Sequence, residues 1–217
     1  MIFDENNINH IKSKNKFSVP YNGEEPKIFL EILEQFKPFI HDIFLSLPDT
    51  EDFFSSYIKK FTNPVYFKKC KELLKLIQSD NIPIKTVVTL NGNYIKMSFE
   101  DKEKFVRNAV KQIKKYNIYG AVVSDYPMAE LLHKELPDLV LNTSCNVPQY
   151  NLNHLHHWRE HCGVTIINPT RDSSRNIPLL KQFKDAGFKI KLLLNETCHV
   201  RCPNICSFCN VSGGGLL

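Results

Sequence analysis

The chain has 217 residues, with 42% hydrophobic and 24% charged residues and a formal net charge of +5. This composition excludes a disordered or fibrous chain and fits a soluble globular fold with one sizeable core. No apolar run approaches the roughly 20 residues that span a bilayer, so no membrane segment is expected.

The opening "MIFDENNINHIKSKNK" is a polar arm, residues 1–16, without the apolar stretch of a signal peptide, which sets the cytoplasm as the expected location. The lysines, among them Lys111, Lys114 and Lys115, are spread along helix-like stretches and read as solvated faces. A basic, RNA-facing surface is the weaker alternative.

After the arm, short β-rich runs alternate with helical segments. "KFSVP" predicts a first strand; "EEPKIFLEILEQF" predicts a helix opened by Pro26, with Ile28, Leu30, Ile32 and Leu33 on its apolar side. "IHDIFLSLP" predicts the second strand, and "DTEDFFSSYIKKFTN" an insertion over a barrel mouth. "PVYFKKCKELLKLIQSD" reads as an amphipathic helix that starts at Pro64 and buries Leu73, Leu74 and Ile77. Strand "IKTVVTL" precedes a helix from Ser98 to Tyr116, where Ser98 and Asp101 form a near capping box.

The alternation then becomes regular. Strands "YGAVVSD", "LVLNTSCN", "GVTIIN" and "FKIKLLLN" alternate with helices "YPMAELLHKEL", "NLNHLHHWREHC" and "IPLLKQFKDAG", the last ending at Gly187. Continuous apolar strands separated by helices predict a parallel α/β sheet. Seven such units and no G-x-G-x-x-G favour a TIM-barrel-like (β/α)8 fold over a dinucleotide-binding sheet. One domain over 17–210 and a glycine-rich tail over 211–217 are expected. An eighth strand is not legible, so the barrel is expected to be incomplete: a truncated chain, or one closed by a partner protein and weakly stable alone.

The strongest chemical signal follows the seventh strand. "LNETCHVRCPNICSFCN" holds four of the seven cysteines, Cys198, Cys202, Cys206 and Cys209, spaced C-x3-C-x3-C-x2-C. Thiolates are soft ligands for iron–sulfur clusters and zinc, and one loop presents several at small closure cost. Zinc sites use pairs set further apart, so a [4Fe–4S] cluster is the first reading and zinc the alternative. The position, at the C-terminal end of a barrel strand, is where barrel active sites gather.

Other candidates surround that end. Glu196 beside the cysteines and Asp125 at the end of the fourth strand are candidate acid–base groups. Arg171, in "NPTRDSSRNIP" after the sixth strand, is a candidate anion binder, with Arg175 weaker; Asp172 or Ser173 is expected to cap the next helix. Asn142, Ser144 and Asn146 would bring polar groups to the mouth, with Cys145 a strand-end thiol; Cys70 and Cys162 read as packing residues. His154, His157 and His161 share one helical face, more in keeping with an outer helix than with a metal site.

Two resemblances follow from these residues. "CPNICSFC" resembles the cluster motif of radical S-adenosylmethionine enzymes, although it follows the seventh strand and "GGGLL" matches no cofactor-binding motif. More broadly, "KFSVPYN", "YGAVVSD", "LPDLVLNTSCN", "HHWREHCGVTIINPTRD" and above all "NETCHVRCP" resemble the collagenase-like peptidase family, unclassified peptidase family 32. That resemblance implies a (β/α)8 barrel, and either a peptidase or an iron–sulfur protein acting in oxygen-independent hydroxylation. It implies cluster ligation by Cys198 and Cys202; Cys206 and Cys209 rest on spacing alone. No G-x-S-x-G or H-E-x-x-H supports a hydrolase. A metal-dependent or cryptic peptidase, and a non-catalytic zinc-binding partner subunit, are the remaining alternatives.

Overall fold

The computed structural model describes residues 16–48, 64–91, 97–147, 149 and 151–194. Residues 1–15 of the polar arm, the insertion, Asn195, Glu196, the four clustered cysteines and the glycine tail lie outside the described residues.

Seven strands form one sheet in chain order: β1 (Phe17–Pro20), β2 (Ile40–Ser46), β3 (Lys85–Leu90), β4 (Gly120–Val123), β5 (Val140–Thr143), β6 (Val164–Ile167) and β7 (Lys189–Ile190). Every neighbouring pair is parallel. Among the described residues, six α-helices carry the chain between them: α1 (Pro26–Phe36), α2 (Pro64–Ser79), α3 (Phe99–Lys115), α4 (Tyr126–Glu135), α5 (Leu152–Cys162) and α6 (Ile177–Asp185). The fold is that of a TIM-barrel-like (β/α) sheet, with seven strands among the described residues.

Local chemistry sets the helix ends. The Ser98 hydroxyl accepts the Asp101 amide at 3.1 Å and donates to the Asp101 carboxylate at 2.7 Å, starting α3. The Asn151 side chain caps α5. Gly163 ends that helix at φ +63, and a Cβ there would stand 2.4 Å from the His133 ring. Neither Asp172 nor Ser173 caps α6. The side chain of Asn176 does, accepting the Leu179 amide at 3.2 Å, because the 3-10 turn Ser173–Arg175 delays the helix start.

Strand register sorts the side chains. Ser18 pairs with Asp42 and Asp42 with Lys85; Ser46 pairs with Thr89, Thr89 with Val122, and Val122 with Asn142. Paired residues of parallel strands share a sheet face, so these residues line the inner face. Ile43, Leu45, Val88, Leu90, Ala121, Val123 and Leu141 alternate with them, are all but fully buried, and pack under the helices. A smaller cluster of Leu155, Ile167, Leu180, Phe183 and Phe188 seats α5 and α6 on β6 and β7. Each such leucine or phenylalanine contributes about 1.5–3 kcal/mol.

One helix turns differently from its expected apolar side. On α1, Phe29 and Leu33 are buried, whereas Ile28 and Ile32 are 55% and 49% exposed and share their side with exposed Phe36. The apolar side spans a little more than half of the helix, opposite Lys27, Glu31, Glu34 and Gln35, so packing against the sheet selects which part of it is buried.

Candidate functional site at the barrel interior and strand ends

The inner face holds a buried charge cluster. Asp42 is fully buried on β2. The Lys191 ammonium donates to its Oδ2 at 2.7 Å, and the Ser18 hydroxyl donates to its Oδ1. His41 Nδ1 lies 2.5 Å from Oδ2, and Lys191 Nζ is 3.5 Å from Ser18 Oγ. Burial alone would raise the Asp42 pKa. The hydrogen bonds from Lys191, Ser18 and His41, with the lysine's charge, outweigh it and hold the carboxyl below its usual value.

This cluster ties β1 and β2 to the far end of the sheet. Lys191 follows β7, and its amide donates to Ile167 O at 2.9 Å, which carries the β6–β7 ladder one residue further. Adjacent strands lie about 4.8 Å apart, so the reach of one lysine side chain from β7 to Ser18 limits the opening between β1 and β7 to about one strand. From Lys191 the chain runs through Leu194 directly into "NETC".

A second polar assembly fixes the C-terminal ends of β5 and β6. Buried Gln149 donates Nε2 to Thr143 Oγ1 at 3.1 Å and to Asn168 O at 3.1 Å. Its Oε1 accepts the Thr170 amide at 3.0 Å, and its carbonyl accepts the Ser173 hydroxyl. Asn168 Nδ2 donates to Thr143 O at 2.5 Å. These bonds give the loop after β6, which carries Arg171, a fixed course. Asn142, on the inner face, is fully buried and donates to Ala121 O at 3.3 Å, while its Oδ1 has no partner among the described residues.

The expected site residues fall into separate places. Asp125 is the N-cap of α4: its Oδ1 accepts the Met128 amide at 3.1 Å and its Oδ2 takes the Lys102 ammonium at 2.6 Å. Both oxygens are therefore engaged in holding α3 and α4 at the end of β4. Arg171 is half-buried between Thr170 and Asp172, and its carbonyl accepts the Ser174 hydroxyl at 2.8 Å. The Trp158 indole donates to His154 Nε2 at 3.2 Å, and His157 stacks on Tyr126 with centroids 4.9 Å apart. That is the packing expected of an outer helix. Among the described residues no group of three or more His, Cys, Asp or Glu side chains is placed to hold a metal. Cys70 and Cys162 are buried, and Cys145 is half-buried.

The Asp42–Lys191 pair was not foreseen. The signal was present: "IHDIFLS" places an aspartate, and "FKIKLLLN" places lysines, on alternate positions of apolar strands.

The fold has solved counterparts. The U32 peptidase Mk0906 matches 93% of this chain and 76% of its own, with a TM-score of 0.67 at 12% identity. The carboxyl transferase domain of Rhizobium etli pyruvate carboxylase matches 94% of this chain but 39% of its own, with a TM-score of 0.52 at 15% identity. At these identities the likeness shows the fold. No family model matches the sequence, and no curated protein matches it.

Proposed function

We propose that the chain is an iron–sulfur-binding barrel protein, distantly related to the U32 peptidase fold, that serves an oxygen-independent hydroxylation or a related redox modification. One observation carries this reading. The parallel ladder continues one residue past β7 to Lys191, so the described chain leaves β7 at the C-terminal side of the sheet, where barrel sites gather, and the cysteine run comes next in the sequence. The donor set fits: four thiolates fall within one short run, and this is cluster-ligand chemistry.

Cys198 and Cys202 are the first ligands, then Cys206 and Cys209. Glu196 and Arg171 are the groups that would act on substrate. Asp125, held by Lys102, serves better as a positioning residue for α4 than as a proton carrier. Exposed Ile28, Ile32 and Phe36 support a partner protein covering α1. The chain's cytoplasmic setting belongs to the same reading.

A hydrolase is the second reading, motivated by the likeness to Mk0906. The geometry around Asp42 does not favour it. Ser18 and His41 occupy opposite oxygens of the carboxylate, which therefore lies between hydroxyl and imidazole instead of orienting one toward the other. Anaerobic purification with metal analysis separates the readings. A brown protein containing iron and acid-labile sulfide supports the first; zinc with no iron after anaerobic reconstitution sinks it.

A further inference from the structure

A cavity of about 280 Å³ opens at the opposite end of the sheet, between α1 and the beginnings of β2 and β3. Leu30, Leu33, Ile40, Ile82 and Ile84 form its apolar wall. Lys16, Lys37, Lys85 and His41 stand around it with Glu34 the one acid among the described residues that line it, and Glu34 is taken by Lys37 at 2.8 Å. Lys16 and Lys85 are left as the cationic groups that no carboxylate among the described lining residues neutralises. Lys85 lies 4.4 Å over the Tyr119 ring, which also meets His41 edge-on.

We propose that this cavity binds a small amphipathic carboxylate, with its apolar body against the leucine–isoleucine wall and its anionic head between Lys16 and Lys85. The apolar wall disfavours a purely polar anion, and the lysine-rich rim disfavours a cation. The volume lies at the small end of ligand sites, which run from about 300 Å³ upward, so the ligand is a short acyl or single-ring acid. Because His41 both lines the cavity and touches Asp42, the site adjoins the charge cluster that holds Lys191.

Calorimetric titration of the full chain with octanoate tests the assignment, with octyltrimethylammonium as the charge-reversed control. Octanoate is expected to bind saturably at one site, and the ammonium not at all. The Lys16→Gln/Lys85→Gln variant should weaken octanoate about ten-fold, the worth of one charge-assisted hydrogen bond. Leu30→Trp, which fills the cavity, should abolish binding, with circular dichroism showing both variants folded. Absence of saturable octanoate binding overturns the proposal. So does equal binding of the ammonium, or unchanged octanoate affinity in both folded variants.

Discussion

Lys191 and Asp42 are 149 residues apart in the chain and 2.7 Å apart in space. The pair joins the last described strand to the second and lies on the face of the sheet away from the helices. A fully buried carboxylate is tolerable there only because a cation, a hydroxyl and an imidazole all meet it.

Removing the cation alone should therefore be costly. Lys191→Met leaves Asp42 buried without its ammonium and is expected to lose about 3 kcal/mol, the low end for a broken buried pair because Lys191 keeps 23% exposure. Asp42→Leu/Lys191→Met should lose less than that single variant. Urea unfolding reads both; a loss below about 1 kcal/mol for Lys191→Met would contradict a structural role for the pair.

The same carboxyl sets an acid limit. Its folded pKa is depressed, so its contribution is present above the unfolded value of about 3.9 and disappears as pH falls through the folded value below it. Stability of the wild-type chain should fall more steeply than that of Asp42→Asn as the pH drops below about 4. Parallel slopes in the two proteins would remove Asp42 as the cause.

Much of the fold was legible because it rests on local chemistry. Pro64, Gly163 and Gly187 mark helix ends through backbone geometry and Ser98 through its side-chain cap, and the apolar strands announce a sheet covered by helices. The exposed side of α1 was not legible. Ile28 and Leu33 are equally apolar, and only the sheet decides between them. Nor was the Asp42 cluster, since its meaning depends on curvature that brings β7 back to β1. Asp125 showed its position correctly, at a strand end, but not its capping bond or Lys102.

Gln149 offers a test of the strand-end network. Gln149→Leu removes donors to Thr143 and Asn168 and the acceptor for the Thr170 amide, at an expected cost of about 2–4 kcal/mol. Hydrogen exchange should accelerate at Thr170 and Ser173 before other amides. Unaltered protection there would show that the loop carrying Arg171 is held by something else.

Thiol reactivity should divide the cysteines. Burial pushes Cys70 up to about 11 and Cys162 up to about 12, so both should resist iodoacetamide at pH 8 in the native chain. Mass spectrometry after a short labelling pulse checks this. Rapid alkylation of either would contradict their packing roles, and unfolding in urea should expose both.

The central claim is that the cysteine run after β7 holds an iron–sulfur cluster, and iron content per chain tests it most directly. After anaerobic reconstitution the wild-type protein should carry about four irons, and Cys198→Ala/Cys202→Ala should carry almost none while staying folded. Iron content unchanged by the double substitution, or a wild-type chain that takes up no iron, would contradict the account.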